Sequence, residues 1–436
     1  SPNPCLGIKC SPSDVTLRLA FILDKQYSKS WSTYFFSRDR LDLLSKPTMS
    51  AKTARIAVVG AGWWSQGWHL PHLGRNAKCE LAAIVDPTAH PKSNLNPDME
   101  SLTQLSERYD CETFSSLEEM LAPGSGAGEI DGVVVSTNHA SHHLLASTAM
   151  RAGISVFCEK PMTVDIDEAK DLYTIARDAN VTFMVNNTAN WRPQALRALG
   201  IVESGALGEL RHGSIVFHAS TQAVFNDPAL TGWNEPSGTM VGNGFAWGQA
   251  AHPLAWFWMV SKLTPARVFS FHGKASKTNA DMYDACSIQC TNGATVSFSG
   301  SGSYPGNDKQ IENRFIGELG TLTYCGRDED KGQSSLEGRE GQGAGAPAGW
   351  EGLEVRRYDS SAVESWEGFA FENCDIEGDG PESLNAFIDA CRGDENYFAG
   401  ADAAVGLKAV ATIDAMYRSA RSGAAESTFL DDFDLP

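Results

Sequence analysis

Glu159 and Lys160 set a carboxylate beside an ammonium where the apolar run Val156–Phe157–Cys158 ends, and Pro161 then stops the strand. An ammonium in that position can hydrogen-bond an alcohol oxygen and stabilise the alkoxide that forms as hydride departs. The carboxylate can hold a ribose or the lysine itself. A surface ion pair at a loop entrance is the plainer alternative. A second candidate is Gly60–Ala61–Gly62–Trp63–Trp64–Ser65, placed between the β-branched run Arg55–Val59 and a helix expected to begin near Gly67. Gly60 permits a tight turn, Gly62 lets the backbone approach a pyrophosphate, and the helix N-terminus offers free N–H groups. Ser65 stands where the usual pattern has a third glycine.

Asp86 follows the second apolar run, Glu80–Val85, where a carboxylate can accept hydrogen bonds from the adenosine ribose hydroxyls. No Arg or Lys follows in Pro87–His90 to receive a 2′-phosphate, so NAD is preferred and NADP is the alternative. An Asp–Pro turn is the bland reading of Asp86. Ser136, Thr137 and Asn138 close a further strand and join the cofactor-binding candidates, with Trp63 and Trp64 from the glycine turn.

The elements that would hold these residues read as follows. Strand-like runs at 55–59, 80–85, 132–136, 154–157 and 181–185 alternate with amphipathic helical stretches, the pattern of a parallel sheet covered on both faces. Beyond about Asn187 come short half-alternating strands joined by turns such as Thr291–Asn292–Gly293, which predict an antiparallel sheet interrupted by one helix over 249–261. Residues 326–350 are glycine-rich and apolar-poor and are expected to form a mobile loop. Residues 1–53 show no clear periodicity and read as a disordered or transit-like leader, followed by domains over 54–187 and 188–436.

Composition narrows the partners. The 436 residues carry a net charge of −19, which disfavours nucleic acid and an anionic membrane surface. No uninterrupted apolar run reaches membrane-spanning length. Ten cysteines lack any CxxC pair. Cys286 and Cys290 would share one strand face but fit reduced, buried thiols better than a metal site. No metal is expected.

The chain resembles the glucose–fructose oxidoreductase and inositol dehydrogenase family (Gfo/Idh/MocA) from about Arg55 to Gly423. The likeness is carried by GAGWWSQGWHLP with His69 and Pro71, by STNHASHH with Thr137 and His142, and by AGISVFCEKPMTVDIDEAK. It implies a Rossmann domain followed by an α/β domain with a large open, mainly antiparallel sheet that often supports oligomers, here a homodimer or homotetramer. It further implies NAD(P)-dependent hydride transfer to or from a sugar, an inositol-like polyol or a related carbonyl compound in the cytoplasm, with organelle import open if the leader is genuine.

The family's second signature, a glycine cluster, an Asp and a His four residues later, reads here as Gly242–Asn243–Gly244 and His252, with Gly248 in the aspartate's place. His252 becomes the candidate proton acceptor, a core histidine being the alternative. Asn190 stands where the family commonly carries an Arg. Asn187, Asn190 or a water could supply the missing chemistry, and Trp191 and Trp247 could line a sugar pocket, as aromatic faces suit sugar rings. Core packing serves each tryptophan equally well. Loss of the aspartate keeps two further readings open: a dinucleotide-binding sensor without turnover, and a glycosidase using NAD for transient oxidation.

Overall fold

The computed structural model describes residues 52–96, 98–305, 308–329, 352–367, 380–431, 433 and 435. Nearly all of the leader and most of the glycine-rich segment lie outside the described residues. Residues 326–329, expected in the loop, instead continue strand β12.

Six strands form a parallel sheet: β1 Ala54–Val59, β2 Cys79–Val85, β3 Glu112–Phe114, β4 Gly132–Val135, β5 Ser155–Cys158 and β6 Phe183–Val185. Their order, β3-β2-β1-β4-β5-β6, is that of a Rossmann sheet, and the order reverses between β1 and β4. The strands are buried almost throughout because helices cover both faces, which is why they read as continuous apolar runs. Caps fix the helix starts. Asp165 accepts from the backbone N–H groups of Asp167 and Glu168 ahead of helix Ile166–Ala179, and Ser101 with Gln104 closes a capping box ahead of Leu102–Tyr109.

The second sheet has nine strands in the order β14-β13-β12-β11-β7-β10-β9-β8-β15. They are β7 Leu210–Ala219, β8 Pro265–Lys274, β9 Asp281–Cys290, β10 Thr295–Ser301, β11 Asp308–Gly317, β12 Gly320–Glu329, β13 Gly352–Arg357, β14 Val363–Glu367 and β15 Glu426–Ser427. The sheet is mainly antiparallel as expected, but β10 lies parallel to β7. Burial alternates along β9, so Cys286 and Cys290 share the inward face.

The helix expected over 249–261 begins earlier, as one π turn over Ala246–Ala250 that runs into Ala251–Ser261. All eleven residues of the latter are buried, because the helix threads the interior instead of lying on it. Helix Ala403–Ser422 packs on β8, on Ala251–Ser261 and on Ile166–Ala179, tying the two sheets together. Helices Pro193–Glu203 and Glu382–Cys391 were not expected from the pattern.

Candidate active site

The glycine turn opens at the carboxyl end of β1. Gly60 has φ +99°, and a Cβ there would stand 2.2 Å from the Ser136 carbonyl oxygen, so only glycine lets β1 and the end of β4 approach this closely. A Cβ on Gly62 would meet nothing within 4 Å, which leaves open the space a pyrophosphate requires. Helical backbone starts at Trp63, four residues sooner than expected. Ser65 is buried and its hydroxyl donates to the Gly60 carbonyl, so the residue that departs from the glycine pattern serves the turn itself. Asp86 accepts from Ala61 N–H (2.8 Å) and Thr88 N–H (2.8 Å), placing its carboxylate beside the turn at the end of β2. These features fit a dinucleotide.

Glu159 lies at the tip of β5 and is 9% exposed. Its Oε1 accepts from Trp64 Nε1 (2.7 Å) and Asn186 Nδ2 (2.7 Å) and lies 2.8 Å from His69 Nε2. Burial alone would raise its pKa. The bonded His69, the Lys160 charge and the Asn186 amide outweigh burial and hold the carboxyl at about 2. Glu159 thereby joins the glycine-turn helix, β5 and the end of β6, where Asn186 accepts in turn from Ser383 Oγ (3.0 Å). The sequence suggested a ribose or lysine partner for Glu159. Its Oε2 accepts from the Lys160 backbone N–H (3.2 Å), and its Oε1 partners are Trp64, His69 and Asn186, of which Asn186 carried no signal, since a lone Asn after a strand is common.

Lys160 precedes a cis peptide bond to Pro161, and the Pro161 carbonyl lies 2.9 Å from His142 Nδ1. Burial holds the His142 imidazole below its usual pKa, against the Pro161 and Thr137 carbonyls that its two ring nitrogens face. His139, three residues earlier, is held low by burial and then by the His142 and Lys160 charges. The Lys160 ammonium donates to the backbone carbonyl of Gly248 at 2.9 Å. The carboxyl end of the parallel sheet is thus joined to the buried helical turn of the second domain, and His252 follows Gly248 by four residues on continuous helix.

Residues 54–187 match the model of an oxidoreductase family with an NAD-binding Rossmann fold, and residues 195–323 match the C-terminal domain of the same family. The chain belongs to the Gfo/Idh/MocA family. It is 23% identical over 171 residues to D-xylose 1-dehydrogenase [NADP(+)] of Haloarcula marismortui, covering 39% of this chain and 44% of the relative. It is 26% identical over 160 residues to inositol 2-dehydrogenase of Rhizobium meliloti, covering 36% of this chain and 43% of the relative. The matched stretches thus span less than half of these curated relatives. Among solved structures, the WlbA dehydrogenase from Bordetella pertussis in complex with NADH and UDP-GlcNAcA superposes with a TM-score of 0.62 at 20% identity, over 86% of this chain and 99% of that one. At that identity the likeness establishes the shared fold.

The departure from the Gfo/Idh/MocA signature at Gly248 has a steric reason. A Cβ at this position would lie 2.5 Å from Phe225 Cζ, so an aspartate cannot enter unless Phe225 moves. The Gly248 backbone carbonyl accepts from the Lys160 ammonium. The glycine cluster before it is also shaped by packing: a Cβ on Gly242 would strike the Tyr417 ring at 2.4 Å, and one on Gly244 would strike the Asp281 carboxylate at 2.5 Å.

The remaining candidates separate. Asn190 is fully buried and its amide donates to the Ala255 (3.2 Å) and Gly400 (2.8 Å) carbonyls. Trp191 donates its indole N–H to Phe398 O at 2.7 Å, and Trp247 is fully buried and stacked on Tyr417 with ring centroids 5.7 Å apart. Packing or backbone bonding holds all three, which for the two tryptophans is the core alternative that the sequence left open. Asn187 is 1% exposed and has no hydrogen-bond partner on Oδ1. It borders the same small gap as Pro161 and Ala251, which keeps it beside Lys160. Trp63 and Trp64 remain half-buried at the cofactor end, in edge contact with each other. Thr137 Oγ1 pairs with Ser141 Oγ at 2.8 Å, and Asn138 is exposed.

Proposed function

We propose that the protein is an NAD(P)-dependent oxidoreductase that exchanges hydride with a sugar, an inositol-like polyol or a related carbonyl compound. The observation that carries this reading is the Lys160 ammonium at the carboxyl end of β5, held by Gly248 O one helical turn before His252. The glycine turn, Asp86 and Ser136–Asn138 would hold the dinucleotide, and the carboxylate of Asp86, with no cationic neighbour in Pro87–His90, favours NAD over NADP. A nicotinamide bound at this end supplies or accepts the hydride at its C4 carbon. Lys160 donates a hydrogen bond to the reacting oxygen and lowers the energy of the developing alkoxide. His252 takes the hydroxyl proton on oxidation and returns it on reduction. Glu159 keeps the strand tip and the glycine-turn helix in fixed relation, so that Lys160 stays aimed. Asn187, with its unpaired buried carbonyl, is the polar group best placed to meet a substrate hydroxyl.

A cytoplasmic setting is supported by the free state of all seven described cysteines. No helix among the described residues is long and apolar enough to cross a membrane. A homodimer or homotetramer is supported by Phe271 and Tyr283, which are 66% and 46% exposed at outward positions of neighbouring strands β8 and β9.

Phe225, seated where the family's aspartate would project, favours a second reading: a dinucleotide-binding sensor without turnover. One experiment separates the two. Lys160→Met is compared with the native chain by NADH absorbance against pentoses, hexoses, inositols and their keto forms. For an enzyme, kcat falls at least about a thousandfold while NADH affinity changes little. Equal turnover of both proteins removes Lys160 from the chemistry. Tight NADH binding with no hydride transfer across the whole panel selects the sensor.

A further inference from the structure

Behind the helical turn that carries Gly248 lies a group of polar side chains that the proposed reaction does not use. His272 on β8 faces Asp284 on β9, and Asp281, three residues earlier at the start of β9, pairs with Lys274 across a register irregularity. One ligand atom from each of His272, Asp281 and Asp284 falls within 4.8 Å of both others. The His272 side chain is 2% exposed and that of Asp284 is 0% exposed.

Asp281 is well bonded. It accepts from Tyr417 OH at 2.6 Å and from the Ala246 N–H at 2.7 Å. Asp284 is not: no amide, hydroxyl or cationic donor of the described residues bonds either oxygen, and the group within hydrogen-bonding reach is the second carboxyl, Asp281. Both ring nitrogens of His272 are likewise without a hydrogen-bond partner, and its Nε2 stands 3.9 Å from Asp284 Oδ1, too far for a hydrogen bond. A buried carboxylate with no donor, next to a second carboxylate, costs several kcal/mol unless something positive joins it. Among the described residues the Lys274 ammonium offsets part of this charge, and that residue is exposed at the end of β8.

We propose that His272, Asp281 and Asp284 bind a first-row divalent cation, Zn²⁺ or Mn²⁺. One imidazole nitrogen and two carboxylates suit these ions, and two negative charges neutralise a divalent one. Ligands around a tetrahedral ion stand about 3.4 Å apart, so shifts of about 0.7 Å on each side chain close the set. The Gly244 backbone, which pairs with Asp281 and leaves no room for a Cβ, bounds the site on one side, and the Tyr417 ring lies edge-on to His272 at 4.9 Å on another. The bound ion has a structural consequence. Asp281 holds the Ala246 N–H at the start of the turn whose Gly248 carbonyl holds Lys160. Fixing Asp281 therefore stiffens the support of Lys160 from behind.

The test needs no turnover and stands whether or not the dehydrogenase reading survives. The full chain is stripped with a chelator, dialysed against Zn²⁺ or Mn²⁺, and its metal content measured by mass spectrometry; a Co²⁺-loaded sample is read by visible absorption. The native chain is expected to retain about one ion per molecule, with a melting temperature that rises with free metal concentration. Asp284→Asn, folded by circular dichroism, should bind at least about tenfold more weakly and lose the Co²⁺ band. Should that variant not fold, His272→Gln reads the same loss. A native chain that retains no stoichiometric ion overturns the proposal and leaves a proton shared by the two acids. An ion retained equally by folded Asp284→Asn or His272→Gln sits elsewhere and overturns it too.

Discussion

Glu159 and Asp284 are both carboxylates sealed inside the molecule, 9% and 2% exposed, and their surroundings drive them in opposite directions. Three donors, two on the glycine-turn helix and one just after β6, converge on Glu159 Oε1, and the acid is held ionised at about 2. At Asp284 burial comes first and the Asp281 charge second, and the acid is pushed well above its ordinary range. Burial by itself says nothing about the charge of a carboxylate; the count of donors aimed at it decides. The contrast also marks function. The satisfied acid braces the strand tip that carries Lys160, whereas the unsatisfied one is a ligand of the proposed cation.

Breaking the satisfied side gives the largest effect. Glu159→Ala strands two buried donors, His69 and Asn186, and the half-buried Trp64, and should lower the unfolding free energy by about 3–5 kcal/mol, read from urea denaturation. A loss below about 1 kcal/mol would show that Trp64, His69 and Asn186 find other acceptors. Acid titration comes next. The Glu159 pKa is depressed in the fold from an ordinary 4.5, so its stabilisation is present above about 4.5 and drains as pH falls toward 2. The full amount is about 3 kcal/mol from the size of that shift. Glu159→Ala should flatten this limb of the pH–stability curve. Asp284 carries the opposite sign. Its raised pKa penalises the folded state as pH climbs above 3.8 when no cation is present. The smallest effect is therefore Asp284→Asn in chelator, expected to stay within about 1 kcal/mol of the native chain at neutral pH or to exceed it, since a buried charge is removed. A loss comparable to that of Glu159→Ala would erase the distinction.

The parallel sheet was legible because strands buried on both faces must be apolar throughout and their crossover helices must be amphipathic. The glycine turn and Asp86 were legible for a related reason: adjacent residues fix a turn locally, and its chemistry follows from its place after a strand. His69 was visible only as part of a motif, and Asn186 not at all, because their common partner Glu159 is distant in sequence from His69. For Trp191 and Trp247 the sequence left core and pocket open on the same ground. An aromatic side chain serves a core and a sugar face equally well, and only the Phe398 carbonyl and the Tyr417 ring settle which. The His272–Asp281–Asp284 group offered no spacing to recognise, since β8 and β9 bring it together by strand register.

The sequence by itself determined the order of strands and helices, the glycine at residue 60 and the ammonium at the tip of β5, because each of these depends on neighbours within a few residues. Tertiary structure decided what those groups touch. Phe225 fills the flank of Gly248, the Gly248 carbonyl accepts from Lys160, and two buried acids meet a histidine across a strand pair. Those contacts join segments far apart in the chain, and hydrophobic periodicity records which face of an element is buried but not which other element it meets there.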